Sequence, residues 1–313
     1  MLFDEINLNK AVLVEVNFPG ITNKQKVYML RLDLIHPEVH GNKWFKLKYN
    51  ISYAKENGYN SLLTFGGAYS NHIRATAAAG KLLDIKTIGI IRGEEHLPLN
   101  PTLEYAFQNG MDIRYVLRSE YRQKHTSEFQ NKMKERFGNI YIIPEGGTNL
   151  FAVKGCREIP QLIKEDYDYL CTACGTAGTL SGIVCGLNGN KKVLGFSVLK
   201  GGGFLRDNAR NLIQEFNKNK LDNWDINLDY HFGGYAKIKY ELINFINEFE
   251  KVNGIILDPV YTGKMMYGIF DLIRKGFFKN EEKIIALHTG GQQGIAGMRA
   301  KINRITLLQN RFE

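Results

Sequence analysis

The chain has 313 residues, 44% apolar and 23% charged, with 41 Lys and Arg against 32 Asp and Glu. That is a globular composition with room for one large or two modest domains, and no run approaches the roughly 18 uninterrupted apolar residues of a membrane helix. The net charge of +9 is spread along the chain with no run of five like charges, so neither nucleic acid nor a membrane is an expected partner.

In chain order, Met1 to Lys10 carries Asp4 and Glu5 and no apolar stretch, so no signal peptide is expected and the location is read as cytoplasmic. Strands are expected at Leu13–Val16 and Tyr28–Asp33. His40-Gly41-Asn42-Lys43 then opens a helix over Asn42–Asn57, with Trp44, Leu47, Ile51 and Ala54 on one face and Gly58 as its stop. A lysine at a helix N-terminus opposes the dipole. That field, with burial, lowers its pKa and suits a base or a Schiff-base amine. Lys46 and Lys48, on the same helix, read as solvated.

A strand at Leu62–Phe65 runs into Gly66-Gly67-Ala68-Tyr69-Ser70-Asn71-His72 and a helix over Asn71–Leu83. Ser70 is placed as an N-cap, and the same turn could hold a carboxylate. Strands follow at Thr87–Ile91, Ile113–Val116 and Ile140–Ile143, with a helix at Thr102–Asn109. A strand at Tyr169–Thr172 ends in Cys174-Gly175-Thr176-Ala177-Gly178-Thr179 before a helix over Thr179–Gly186. Its glycines, hydroxyls and helix start make a phosphate cup, although the pattern is neither a Walker loop nor a dinucleotide fingerprint. Cys171 and Cys174 have no second pair at zinc spacing; they read as small residues of a buried strand, and no metal is expected. A strand at Val193–Ser197, helices at Glu241–Val252 and Lys264–Lys275, and a last strand at Ile284–Leu287 complete the series. Strand–helix alternation argues for an α/β architecture of mainly parallel sheets flanked by helices, with sites beyond the carboxyl ends of the strands.

Six segments in order carry a resemblance: Gly41-Asn42-Lys43 with Lys46-Leu47, Gly66-Gly67 with Ser70-Asn71, Pro144-Glu145-Gly146-Gly147, the Gly175–Thr179 cup, Asp258-Pro259-Val260-Tyr261-Thr262-Gly263-Lys264, and His288-Thr289-Gly290-Gly291. Together they resemble the fold type II, tryptophan-synthase-β-like pyridoxal-phosphate enzymes, and within them the D-cysteine desulfhydrase and 1-aminocyclopropane-1-carboxylate deaminase family. The likeness runs from about Val27 to Gly294. It implies pyridoxal 5'-phosphate held covalently by Lys43, with Asn71 at the ring hydroxyl and Gly175, Thr176, Ala177, Gly178 and Thr179 at the phosphate. Ser70, Asn71 and His72 would take the carboxylate of a small amino-acid substrate, and Tyr261 and Tyr235 would flank the reacting carbon. It also implies a small domain of residues 48–155 inserted in a large one made of 1–47 and 156–313, and a homodimer.

Thr262 stands where the deaminases have a glutamate near the pyridine nitrogen, and Thr289 where they have leucine. Both look like the desulfhydrase pattern. A neutral partner makes the ring a weaker electron sink, which suits β-elimination of D-cysteine to pyruvate, ammonia and sulfide. Cyclopropane ring opening, a serine dehydratase or racemase of the same fold, and a phosphate-ligand binding protein without catalysis are the alternatives. Tyr69 and Ala75 depart from the pattern of both subfamilies, where glutamine is expected.

Overall fold

The computed structural model describes residues 6–19 and 25–309. Its strands are β1 (Leu13–Glu15), β2 (Lys26–Leu30), β3 (Ser61–Gly66), β4 (Lys86–Arg92), β5 (Met111–Val116), β6 (Ile140–Ile143), β7 (Tyr169–Cys174), β8 (Lys192–Ser197), β9 (Trp224–Asn227) and β10 (Lys283–Leu287). The helices are α1 (Asn42–Glu56), α2 (Asn71–Leu82), α3 (Pro101–Gln108), α4 (Arg118–Tyr121), α5 (Ser127–Phe137), α6 (Leu150–Cys156), α7 (Gly178–Leu187), α8 (Phe204–Phe216), α9 (Tyr240–Asn253), α10 (Thr262–Arg274) and α11 (Gly294–Gln309).

The strands form two sheets, a six-stranded one in the order β1-β2-β10-β7-β8-β9 and a four-stranded one in the order β5-β4-β3-β6. Only the β1–β2 pair is antiparallel; every other pairing is parallel. Parallel strands need helical crossovers on both faces, which is why β3 is buried along its whole length, Ser61 and Thr64 included. One core cluster joins both sheets through α1, α2 and α7, from Leu30 and Leu170 to Leu62 and Ala75. A second packs α9 and α10 on the other face of the larger sheet, and two smaller ones cover the faces of the four-stranded sheet.

The predicted face of α1 is buried as expected, at Trp44, Leu47, Ile51 and Ala54. Strand β2 is shorter than predicted, because Leu32–Leu34 turns into a 3-10 segment. Helices α4, α5, α6, α8 and α11 and strand β9 have no counterpart among the sequence expectations. Helix α8 buries only Leu205, Ala209 and Ile213, a stripe too narrow to stand out among its polar residues. Cys171 and Cys174 belong to different core clusters on opposite faces of β7, so they neither pair nor share a ligand. Among the described residues no helix is long and apolar enough to cross a membrane.

Candidate active site

A cavity of about 660 Å³ lies where the carboxyl ends of both sheets meet, within the range of small-molecule sites. Its wall takes Lys43 and Lys46 from α1, Ser70, Asn71 and His72 from the β3–α2 turn, the Gly175–Thr179 turn after β7, Thr289 after β10, and Tyr235 and Tyr261.

Lys43 reaches this space from the second position of α1, and its Nζ donates to Asn42 Oδ1 at 2.8 Å. Asn42 in turn donates to Thr179 Oγ1 at 2.8 Å, tying the lysine to the Gly175–Thr179 turn. Burial, then the neighbouring Lys46 charge, pulls the Lys43 amine down to about 7. Gly41, at φ +65°, caps α1 so tightly that a Cβ there would fall 2.1 Å from the Thr289 carbonyl oxygen. Only glycine brings helix and loop together, and so Lys43 beside Thr289.

Lys46 corrects an expectation. It is 3% exposed, not solvated, and its Nζ donates to Gly146 O (3.0 Å), Thr148 Oγ1 (3.1 Å) and Thr176 Oγ1 (3.3 Å). No carboxylate lies among those partners, and burial lowers its pKa. Lys48 is also engaged, in an ion pair with Glu158.

The cup itself is a sharp turn, with Ala177 left-handed at φ 62° before α7. The first N–H groups of a helix have no intrahelical acceptor and face an incoming anion. Thr176 and Thr148 bond each other at 2.6 Å beside Lys46. A Cβ on Gly178 would come within 2.8 Å of Thr148 Oγ1. Gly178→Val therefore pushes Thr148 out of this network, and the expected result is at least tenfold weaker cofactor binding with the fold retained. Titration of the apoprotein with limiting pyridoxal phosphate checks it; full occupancy refutes it.

Ser70 caps α2, its Oγ accepting from Ile73 N at 3.3 Å, which leaves the N–H groups of Asn71 and His72 at the helix start without an intrahelical acceptor. The His72 ring is turned away from a substrate role. It is 2% exposed and lies 2.9 Å from Thr64 Oγ1, whose hydroxyl donates to Ile143 O; His72 Nε2 is thus the protonated nitrogen. Burial holds the ring neutral.

Asn71 Oδ1 accepts from Gln293 Nε2 at 3.1 Å, and Gln293 Oε1 accepts from His40 at 3.2 Å. That chain leaves the Asn71 amide N–H groups to donate toward the cavity. Gln293 was not anticipated; a residue 222 positions away leaves no local signal.

Asp258 organises the other wall. Its carboxylate accepts from Val260 N, Tyr261 N, Thr262 N and Thr262 Oγ1, at 2.6 to 2.9 Å. Thr262 is thereby spoken for: its hydroxyl donates to Asp258 Oδ2 and accepts from Asp258 N, and it lines neither this cavity nor its neighbour. Thr262, expected near the ring nitrogen, has its hydroxyl engaged by Asp258, and Thr289 lies on the cavity wall. Tyr261 and Tyr235 stand with their hydroxyls 3.5 Å apart and their rings edge to face. Burial raises both phenols, so each stays protonated. Buried Lys264, also unanticipated, donates to His231 O and Gly234 O and so fixes the loop that carries Tyr235.

A lysine of depressed pKa, a buried unpaired cation and a backbone cup for an anion in one cavity fit a cofactor that has both an aldehyde and a phosphate. Such a site between two parallel sheets defines a pyridoxal-phosphate enzyme of fold type II. The family model for pyridoxal-phosphate dependent enzymes matches residues 12–290, and the chain belongs to that family. A Pyrococcus horikoshii protein named "Putative 1-aminocyclopropane-1-carboxylate deaminase" is 35% identical over 86% of this chain and 85% of its own. The "Bifunctional D-cysteine desulfhydrase/1-aminocyclopropane-1-carboxylate deaminase, mitochondrial" of Arabidopsis thaliana is 30% identical over 89% of this chain and 75% of its own. A crystal structure described as an "ACC deaminase homologue" superposes with a TM-score of 0.83 at 31% identity, covering 95% of this chain and 94% of that one. The cofactor is pyridoxal 5'-phosphate.

Proposed function

We propose that this chain catalyses β-elimination on a small amino acid, D-cysteine being the substrate, in which D-cysteine and water give pyruvate, ammonia and hydrogen sulfide. The observation that carries the choice is the state of the carboxylates. Glu145, at the cavity rim, is bonded by Tyr121 and Lys124, and Asp258 is saturated by its own turn. Thr289 puts a neutral hydroxyl residue on the wall. With no free carboxylate on the cavity wall among the described residues to keep the pyridine nitrogen charged, the site favours a reaction whose negative charge leaves at once with sulfur.

Bound here, pyridoxal phosphate supplies the electron sink that makes the α-proton acidic. Lys43, Lys46 and the Gly175–Thr179 cup hold it. The N–H groups of Asn71 and His72 orient the substrate carboxylate. The Lys43 amine, its pKa lowered by burial to about 7, would remove the α-proton. Tyr261, protonated and next to Tyr235, is placed to give a proton to the leaving group. On this reading the two sheets are the cores of two domains, residues 48–155 inserted in the domain of 1–47 and 156–313, with the cofactor between them. A homodimer belongs to the same reading, by family likeness alone.

The names of the relatives support 1-aminocyclopropane-1-carboxylate deamination to 2-oxobutanoate equally. Both reactions are to be run on one preparation, following sulfide and pyruvate from D-cysteine and 2-oxobutanoate from the cyclopropane. The expected result is a higher kcat/KM for D-cysteine; the reverse order overturns the choice.

A further inference from the structure

A second cavity, about 230 Å³, adjoins the first and shares Gly67, Asn71, Arg92, Tyr235 and Tyr261 with it. The rest of its wall is mostly apolar, from Ala68, Tyr69, Pro259, Val260, Gly294 and Met298. Two of its acceptor groups are already occupied. The Asp258 carboxylate has four donors, and Asn71 Oδ1 is held by Gln293. Arg92 is exposed and lines the boundary between the two cavities.

Tyr69 closes this chamber. Its ring lies against α11, where a Cβ on Gly297 would come within 2.5 Å of the ring carbons. Ala75, the other departure in the same segment, is instead buried in the core and touches neither cavity.

The β-substituent of D-cysteine is one sulfur atom. The chamber has room for roughly seven waters at about 30 Å³ each, yet offers them few partners. A space of that size and polarity next to the tyrosine pair is suited to carbon. Building on the site reading above, we infer that the chamber is a substrate side-chain subsite and that the preferred substrates are β-substituted amino acids with an apolar group of several carbons, S-alkyl cysteines above all. The reaction balances as R–S–CH2–CH(NH3+)–COO− plus water giving pyruvate, ammonium and R–SH: the Cβ–S bond breaks, its electron pair leaves with sulfur, and sulfur takes a proton.

The test is equilibrium binding to the holoenzyme of D-alanine, D-2-aminobutyrate, D-norvaline and D-norleucine, which have no leaving group. Affinity is expected to rise about fourfold per added methylene. Ala68→Leu, which fills the chamber, should remove that rise while D-alanine, too short to enter, reports that the variant is folded. A flat or falling series in the native protein overturns the chamber alone. Failure of D-alanine itself to bind overturns the reading of the site, and the chamber with it.

Discussion

Lys43→Ala is expected to lower turnover by about 10²–10⁴-fold, the usual contribution of a positioned acid–base group, while cofactor still binds through its phosphate. A solvated lysine near pKa 10.4 is roughly four parts in 10⁴ neutral at pH 7. With the amine brought down to about 7, the neutral fraction rises by about a thousandfold. The sign of the pH dependence follows for the amine once substrate has displaced it from the cofactor: activity should fall as pH drops and that amine is protonated. Lys43→Arg keeps the charge but supplies no base at any working pH, and should not rescue. Borohydride reduction and peptide mapping should place the pyridoxyl group on Lys43. Two other buried lysines of lowered pKa give the experiment its contrast. Lys264 donates to two carbonyls and lines neither cavity, so Lys46 is the real competitor. A label on Lys46 would refute the assignment.

The contrast between these lysines also shows what the sequence could and could not disclose. The apolar stripe of α1, the glycine-rich turn after β7 and the cap at Ser70 are local patterns, each written within a few residues, and they were legible. Lys46 was misread because its burial comes from elsewhere: Gly146 and Thr148, about a hundred positions away, close over it. One local clue existed, since Lys43 and Lys46 are three apart and share a helix face. Thr262 was placed by likeness to a motif, whereas its hydroxyl is set by Asp258 within its own turn. Tyr69 and Ala75 looked alike in sequence as departures from a pattern. Burial separates them, since Tyr69 is 47% exposed on a cavity wall and Ala75 is 4% exposed in the core.

Lys46→Met is expected to act in opposite directions on the apoprotein and the holoenzyme. Without an anion, native Lys46 is a buried cation whose partners are a carbonyl and two hydroxyls. Burying such a charge costs several kcal/mol, whereas leaving Gly146 O without a donor costs about 1–3 kcal/mol. Near neutral pH the first effect is larger, so the variant apoprotein should melt at a higher temperature. The folded pKa of Lys46 is lowered, so between that value and about 10.4 the unfolded chain binds the extra proton, and native stability rises with pH across this window. The advantage of the variant should therefore be largest at low pH and shrink as pH rises. It should reverse once Lys46 is neutral in both states and only the lost hydrogen bond remains. The cofactor phosphate changes the sign by supplying the missing anion: Lys46→Met should bind pyridoxal phosphate about ten- to a hundredfold more weakly, the usual worth of a hydrogen bond to a charged group. Melting curves of both apoproteins at pH 6 and pH 9.5, with and without inorganic phosphate, read the shrinking advantage and the anion effect without turnover. Phosphate should raise the native melting temperature more than that of the variant. A variant less stable at pH 6, or equal stabilisation of both by phosphate, would remove Lys46 from the anion site.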